Sequence, residues 1–360
     1  METLNISGKI TGIKYAPLLT KNLTKYSLKE FDYALAKESV FLLDLGRDNE
    51  LAISSWVSAK RTRSYPYERV YNTLSFAGKK IAIIPIFKDE GKEGDRDFLQ
   101  WDTISLMSLL GVYVIISYYN SAQKSSKYGN TKGNKITNQR FDTTQIKSEI
   151  KKLLAYQSDA LHWNLEQIDN AGQVGKKALE SYEDISKKTG VKMHLKSGGE
   201  SKIKRLLGDK KEFMEHSRFL AKQAQKREGG ITQPHENVDG SKCTITITNY
   251  LKGIYFFTCD ECKIVGNTIS LTEAKHTTKS GLPSLSDIKD GILKMILFTN
   301  LKEVLVNGKV YSVKPILKLT TAKGFNLNKF GVENQEYIQS LVNEANKNNF
   351  TITVNNTPLN

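Results

Sequence analysis

The order of apolar segments along the chain predicts an α/β protein with two sheet-forming regions. Residues 69–118 indicate two strands, a helix and a third strand, and a strand–helix–strand unit is typical of α/β folds. Residues 201–319 indicate a helix, three strands, a second helix and returning strands. Because the chain has 360 residues, of which 39% are hydrophobic, it is long enough to build both regions as packed domains.

The first region predicts an N-terminal α/β domain over residues 1–138. Its predicted elements are a helix over 26–35, strands over 40–45, 69–76 and 80–87, a helix over 98–110 and a strand over 112–119. The second half of the last helix is apolar on most sides, which indicates a buried position. The polar, basic stretch over 120–142 contains glycines and predicts a long loop or linker, so we place the domain boundary near its end.

Acidic residues crowd the loop that follows the predicted strand over 80–87. They are Asp89, Glu90, Glu93, Asp95 and Asp97. A loop of this composition at a strand end is a candidate metal site. The strand predicted over 69–76, which would be the hairpin partner of the strand over 80–87, carries no second acid for such a site. Helix N-termini also favour nearby acids through capping and the helix dipole. This loop is therefore the secondary candidate for a catalytic centre.

The second region predicts a domain over residues 139–321, in which a layer of helices precedes a sheet. We expect three helices between residues 143 and 228, the third over about 201–227. Residues 186–229 hold 13 Lys and Arg against 5 Asp and Glu, so this layer is strongly basic. Residues 322–360 predict a C-terminal appendage, a helix and a short strand, that covers a sheet edge.

The sheet of this second domain contains a hairpin whose register is predicted by its turn. Gly266-Asn267 is a pair that closes two-residue hairpins. Asp260 and Glu273 are equally far from that pair, so we expect them to face each other across the ladder. Lys275 lies two residues beyond Glu273 and therefore on the same face of the strand. The hairpin thus predicts a cluster of two acids and one base near its open end.

Such a cluster has the chemistry of a phosphodiesterase centre. Two close carboxylates repel unless a cation bridges them, and hard oxygen ligands suit Mg²⁺, which also binds substrate phosphate. A neighbouring lysine can orient a bound water or stabilise the charge that develops on phosphorus-bound oxygens. We therefore expect Asp260, Glu273 and Lys275 to be catalytic, with Mg²⁺ as the cofactor.

The placement of Asp260 and the triplet Glu273-Ala274-Lys275 resembles the motif of the PD-(D/E)XK nucleases, the restriction-endonuclease-like superfamily. The order helix, three strands, helix and strand resembles the αβββαβ core of that family, with the second helix here over 286–297. The resemblance implies that Asp260 and Glu273 bind the metal and that Ala274 contributes its backbone carbonyl. It also implies that Lys275 serves the attacking water. A central mixed sheet is the expected frame for this site.

Within this family, the chain looks most like a type II restriction endonuclease. Such an enzyme cuts double-stranded DNA at specific sites without ATP and leaves 5′-phosphate and 3′-hydroxyl ends. The sequence has no P-loop motif that would indicate an ATP-driven motor. The N-terminal domain is then a candidate for DNA recognition. The resemblance also implies a homodimer, since one site per chain must serve two strands, and a cognate DNA methyltransferase that acts in the same system.

Composition favours a polyanionic partner in a reducing compartment. The chain has 53 Lys and Arg against 38 Asp and Glu, a net charge of +15, which favours nucleic acid. Three cysteines in a chain of this length argue against a disulfide framework. No apolar run is long enough to cross a membrane, and the first residues lack the apolar core of a signal peptide. We therefore expect a cytoplasmic location.

Two other functions fit the same residues. One is a repair, transposition or defence nuclease that reads DNA structure, for which cleavage would not map to one sequence. The other is a non-catalytic DNA-binding protein, in which the acidic pair is structural and binding is salt-sensitive.

Two smaller features lie in or before the hairpin. Cys259-x-x-Cys262 has the spacing of half a zinc site, but only Cys243 is left to pair with it, so buried cysteines are the favoured interpretation. The sequence leaves open whether the helix that precedes the strands adds a fourth active-site acid, for which Glu212 and Glu215 are the candidates.

Overall fold

A computed structural model confirms the α/β class, because it combines helices with sheets of parallel and antiparallel strands. It describes residues 4–46, 49–59, 66–126, 133–194, 241–249, 254–279, 281–322 and 332–360, and Glu215, Phe219 and Gln223 as single helical residues. None of the described helices is both long and apolar enough to cross a membrane.

The elements are numbered in chain order. The strands are β1 (Leu4–Ile10), β2 (Lys25–Ser27), β3 (Val40–Asp44), β4 (Glu50–Ser55), β5 (Lys79–Pro85), β6 (Phe87–Asp89), β7 (Arg96–Phe98), β8 (Val112–Ser117), β9 (Tyr119–Lys124), β10 (Ile136–Phe141), β11 (Ser241–Asn249), β12 (Ile254–Val265), β13 (Thr268–His276), β14 (Lys302–Val306), β15 (Lys309–Thr320), β16 (Thr351–Val354) and β17 (Thr357–Pro358). The helices are α1 (Phe31–Lys37), α2 (Pro66–Tyr71), α3 (Trp101–Leu109), α4 (Thr143–Leu154), α5 (Ala160–Asp169), α6 (Ala171–Thr189), α7 (Leu285–Thr299) and α8 (Val332–Asn348), with a 3-10 helix at Leu28–Glu30.

The chain folds into two compact units. The first unit comprises Met1–Asn22, Val70–Ser75 and Ala221–Asn360, and the second comprises Leu23–Arg69 and Phe76–Leu220. Each unit is therefore assembled from segments that are distant in sequence.

This division differs from the domain boundary predicted at residue 138. Strand β1 pairs with β11 and with β14, so the N-terminal strand belongs to the first unit, with the candidate site. Helices α4 and α5 pack on β8, and α6 packs on β9, so the helical layer belongs to the second unit. Backbone pairing between distant segments, which no local pattern shows, decides both assignments.

A mixed sheet that closes on itself forms the frame of the first unit. Its strand order is β13-β12-β11-β1-β14-β15-β16-β17, and β13 also pairs with β15, so six strands form a barrel-like ring. Strands β1 and β11, β13 and β15, and β15 and β16 are parallel pairs, and the remaining neighbours are antiparallel. The predicted mixed sheet is confirmed, whereas its closure was not predicted. The C-terminal segment continues the sheet beyond the ring through β16.

The second unit is built on a five-stranded sheet of order β2-β3-β4-β5-β8, in which β3 and β4 are antiparallel and the other neighbours are parallel. Apolar side chains of α1, α4 and α5 cover one face, among them Phe31, Ile146 and Trp163. Helix α5 also covers the outer edge of β8. Trp163 Nε1 donates to the carbonyl of Val114 at 2.7 Å, and Asn164 Oδ1 accepts from the amide of Val114 at 2.7 Å. An edge strand covered in this way offers fewer free backbone groups to other chains.

Two predicted elements take a different form. The strand predicted over 69–76 is wrong: the chain forms helix α2, which ends at Tyr71, and then turns. Pro66 at the first helical position favours that helix. The loop predicted over 120–142 is also wrong in part, because its two ends pair as β9 and β10.

Two helices were predicted between residues 143 and 189, and the structure has three there, α4, α5 and α6. The helix predicted over 201–227 lies outside the described residues, except for the three single positions named above.

A buried carboxylate connects helix α8 to the N-terminal segment within the first unit. Glu344 is fully buried, and its oxygens accept hydrogen bonds from the hydroxyls of Tyr15 at 2.7 Å and Tyr71 at 2.6 Å. The backbone amides of Leu18 and Leu19 also donate to it, at 3.0 and 2.9 Å. Burial raises the pKa of Glu344. Four donors converge on one side chain, so this residue organises the segment around it.

We expect Glu344→Ala to lower the free energy of unfolding by about 3 kcal/mol, because it leaves buried donors without their acceptor. Urea unfolding followed by circular dichroism measures the effect. Glu336→Ala, at an exposed position of the same helix, is the matched control and should change stability by less than about 0.5 kcal/mol. Equal effects of the two substitutions would contradict the structural role of Glu344.

Candidate active site

The predicted hairpin is present and has the predicted register. Strands β12 and β13 pair antiparallel through Gly266 and Asn267, and Glu261 lies opposite Thr272 at the far end of the ladder. Gly266 adopts a φ of 59°, a left-handed conformation that glycine takes without steric cost. The register predicted from the turn pair is therefore confirmed.

The ladder stops one pair short of Asp260 and Glu273, where β12 contains a bulge. Two residues of β12, Asp260 and Glu261, oppose a single residue of β11, which is the defining feature of a β-bulge. The prediction that Asp260 and Glu273 form a facing ladder pair is therefore wrong. Asp260 Oδ2 instead accepts a hydrogen bond from the backbone N–H of Ala274 at 2.8 Å. The bulge thus brings the carboxylate to β13 by a different contact.

Glu273 is the centre of a buried ion network. Its side chain is 3% exposed, and its two oxygens lie 3.1 Å from Lys275 Nζ and 2.6 Å from Lys294 Nζ. Lys275 Nζ also lies 3.3 Å from Asp290 Oδ2. Strand β13 and helix α7 therefore contribute one acid and one base each. Glu273 and Lys275 share a face of the strand, as the sequence predicted.

The charges of Glu273, Lys275 and Lys294 stabilise one another. Burial raises the pKa of Glu273, but Lys294 and Lys275 outweigh burial and lower it below the ordinary 4.5. Burial lowers the pKa of Lys294, yet Glu273 and Asp260 raise it above its ordinary value. For Lys275, burial likewise lowers the pKa, and Glu273 and Asp290 raise it overall. Glu273 is therefore a carboxylate and both lysines are ammonium ions at neutral pH.

Helix α7 is positioned to present its acid and its base to β13. Ser284 caps the helix N-terminus by accepting a backbone hydrogen bond. Asp290 and Lys294 are four residues apart and therefore lie on one face of the helix. Gly291 lies between them, and a Cβ at this position would be 3.1 Å from Cε of Lys275. The absence of a side chain at Gly291 thus allows the close approach of helix and strand.

Asp290 and Lys294 are site residues that sequence reasoning did not identify. The signal was present, because both lie four residues apart in a helix that was correctly predicted to follow the E-x-K strand. The predicted fourth acid was placed on a different helix. Glu212 lies outside the described residues, and Glu215 is described as an exposed helical residue.

The oxygen donors of the hairpin are of the kind that Mg²⁺ prefers. Asp260, Glu273 and the carbonyl of Ala274 are the groups that would hold this ion, which commonly keeps several waters. No group of three or more His, Cys, Asp or Glu side chains is arranged to hold a metal among the described residues. A magnesium ion shared by the two carboxylates would have to replace Lys294 as the main counter-ion of Glu273.

The acidic loop over residues 89–97 has structural partners of its own. Asp89 Oδ1 lies 2.7 Å from Nδ1 of His194. Glu90 forms ion pairs with Lys88 at 3.0 Å and with Lys135 at 2.9 Å. Burial raises the pKa of Glu90, but the two lysines lower it to about 2. These contacts favour a structural role for the loop over a catalytic one.

The three cysteines are buried free thiols: Cys243, Cys259 and Cys262. The thiol of Cys259 lies 3.1 Å from the carbonyl oxygens of Glu261 and Thr272. Cys259 therefore packs beside the bulge that β12 forms against β11. This contact supports the interpretation of the cysteines as structural.

Comparison with known proteins adds no family assignment. No protein-family model, curated protein or solved structure matches the chain. The resemblance to the PD-(D/E)XK nucleases therefore depends on the residues of the hairpin and on the order of the elements around it.

We expect Glu273→Gln to destabilise the protein by about 3 kcal/mol at pH 7, because it leaves two buried ammonium ions with less compensation. The folded pKa of Glu273 lies below the ordinary 4.5, so the unfolded chain takes up the proton first as the pH falls. The stabilisation is therefore complete above that ordinary value and is lost as the pH falls through the folded pKa. Urea unfolding at a series of pH values measures this difference between wild type and variant.

Glu336→Gln, at an exposed position of the same unit, is the control for this titration. The ion network predicts that the difference in the free energy of unfolding between wild type and Glu273→Gln shrinks as the pH falls. A difference that stays constant from pH 7 to the acid limit of folding would contradict it.

Proposed function

We propose that the protein is a Mg²⁺-dependent, ATP-independent endonuclease that cuts double-stranded DNA, most like a type II restriction enzyme. The observation that carries the proposal is the meeting of Asp260, Glu273 and Lys275 at the open end of one hairpin. The topology supports it. Strands β11, β12 and β13 are antiparallel neighbours, and helix α7 lies on the path from β13 to β15, which pairs parallel with β13. This order is similar to the three strands, second helix and last strand of the αβββαβ core, with β14 inserted before the last strand.

The residues of the site have separate tasks in phosphodiester hydrolysis. Bound Mg²⁺ would polarise the scissile phosphate and acidify a coordinated water, and Asp260, Glu273 and the carbonyl of Ala274 would hold it. Lys275 keeps its proton, because Glu273 and Asp290 raise its pKa. It therefore acts as a donor that orients the attacking water or stabilises charge on the phosphoryl oxygens. Asp290 is a positioning residue, since it holds the ammonium of Lys275.

The proposed substrate follows from charge. A net charge of +15 favours a polyanion, and duplex DNA is a strong one. Cleavage of both strands by one site per chain calls for a homodimer. In a restriction system, a cognate DNA methyltransferase would protect the host sites. A nuclease that reads DNA structure instead of sequence would use the same chemistry.

A second candidate function is DNA binding without catalysis. The observation that favours it is the neutralisation of Glu273 by two lysines, which gives this carboxylate a structural role without any metal. The two candidates differ in one measurable property, which is metal-dependent turnover.

We expect the purified protein to cut unmethylated phage DNA into discrete fragments in the presence of Mg²⁺ and to leave it intact in EDTA. Asp260→Asn, Glu273→Gln and Lys275→Met should each lower the cleavage rate by at least about 100-fold, because each removes a ligand or donor of the reacting groups. Gel analysis of the fragments measures the rate, and sequencing of the ends gives the cut site.

Lys263→Met is the matched control, because Lys263 is an exposed lysine of the same hairpin. It should cut at the wild-type rate. Cleavage that persists in the three site variants would refute the hairpin site and direct attention to the 89–97 loop. A wild-type protein that binds DNA and never cuts it would favour the non-catalytic function.

We expect Lys294→Met to bind Mg²⁺ about tenfold more tightly than the wild type, because it removes the ammonium that competes for Glu273. Isothermal titration calorimetry without DNA measures the affinity independently of cleavage. Lys263→Met should match the wild type, and Glu273→Gln should bind weakly. Equal affinities for wild type and Lys294→Met would show that the metal and the lysine do not share this carboxylate.

A further inference from the structure

The strands β9 and β10 form a separate two-stranded ribbon in the second unit. Residues 119–141, which include both strands, contain five Lys and Arg and no Asp or Glu. The exposed side chains of the ribbon are mainly hydrogen-bonding or cationic groups: Asn120, Ser121, Gln123, Lys124, Thr137, Asn138 and Arg140. Such a surface fits a polyanion that also offers hydrogen-bonding edges.

We propose that this ribbon enters the major groove of double-stranded DNA and reads base edges there. The inference rests on the proposed function, because it names the surface by which the endonuclease would recognise its sequence. Paired strands lie about 4.8 Å apart, and the major groove, about 12 Å wide, admits a two-stranded ribbon. Arginine pairs with guanine through two hydrogen bonds, and asparagine or glutamine pairs with adenine in the same way.

A bulge in β10 presents an amide pair on the exposed face. The register shifts between Thr137 and Arg140, and Asn138 takes a left-handed φ of 51°. Asn138 Nδ2 donates to Gln123 Oε1 on the facing strand at 2.8 Å. This bond holds the two amides together. It uses neither the side-chain carbonyl oxygen of Asn138 nor the amino group of Gln123, so these two groups can bond to a base. An acceptor beside a donor matches the N6 and N7 positions of adenine.

Arg140 is the cation next to this pair along β10. Its side chain is exposed, and no ion pair involves it within the described residues. An arginine on a groove-facing strand without a protein counter-ion has its guanidinium available for a phosphate or a guanine. Exposed Lys124 supplies a second positive charge on the ribbon.

The base of the ribbon is held firmly by the scaffold. Gln139 donates to the carbonyl of Asp89 at 3.0 Å and accepts from the hydroxyl of Tyr182 at 2.6 Å. The rings of Tyr119 and Phe141 stack at a centroid distance of 4.4 Å. A recognition element has to be pre-organised to discriminate among bases, and these contacts provide that rigidity. The acidic 89–97 loop thus supports the ribbon.

The test is a binding selection from a random duplex library, run with the full chain in EDTA so that no cleavage is required. We expect the wild type to enrich one short sequence. Arg140→Lys keeps the charge but loses the two-pronged geometry. It should therefore keep most of its non-specific affinity while affinity for the enriched sequence falls by roughly 10- to 100-fold. Asn138→Ala should relax the selection at a different base pair.

Lys29→Ala, an exposed lysine of the same unit, is the control and should select the wild-type sequence with wild-type affinity. Melting curves of every variant establish that it is folded. Retention of the same sequence preference by Arg140→Lys and Asn138→Ala, or a preference of the wild type for single strands or RNA, would overturn the inference. Enrichment that depends on the ribbon, without any Mg²⁺-dependent cleavage, would leave the inference standing and reject the endonuclease.

Discussion

A carboxylate buried as deeply as Glu273 has to be neutralised, and this requirement links strand β13 to helix α7. The lysine two residues along the strand supplies one positive charge, and Lys294 of the helix supplies the other. Asp290 pairs with Lys275, although burial and the nearby charge of Glu273 raise the pKa of Asp290. Gly291 is part of the same constraint, because a larger residue would separate the helix from Lys275.

The strand pairings of the first unit put this network at a defined place. Because β13 is paired with β12 on one side and β15 on the other, its backbone has little freedom, and Glu273 projects in a set direction. The bulge in β12 is the local departure from that regularity, and it aims Asp260 at the backbone of Ala274. A regular sheet supplies rigidity, and one irregular residue supplies the second carboxylate of the site. Functional sites often combine the two in this way.

The second unit also contains a buried carboxylate that lysines neutralise, but there the ion pairs support a structural loop. Glu90 is compensated by Lys88 and Lys135, and the loop that carries it holds the ribbon. An acidic cluster in sequence is therefore ambiguous. Lysines of the same protein can neutralise its charges, as they do for Glu90 and for Glu273, so the cluster alone does not separate a structural role from a metal-binding one.

The sequence by itself determined the α/β class, the hairpin with its register, and the shared face of Glu273 and Lys275. All of these follow from short-range rules: the period of side chains along a strand and the turn preference of Gly266-Asn267. The tertiary structure alone decided that β1 closes the ring, that Asp260 lies in a bulge, and that Asp290 and Lys294 complete the network. It also replaced the predicted strand over 69–76 by the end of helix α2 and a turn, and Pro66 at the first helical position favours that helix. Pairing and neutralisation between distant segments depend on the whole fold, and no local pattern of residues contains them.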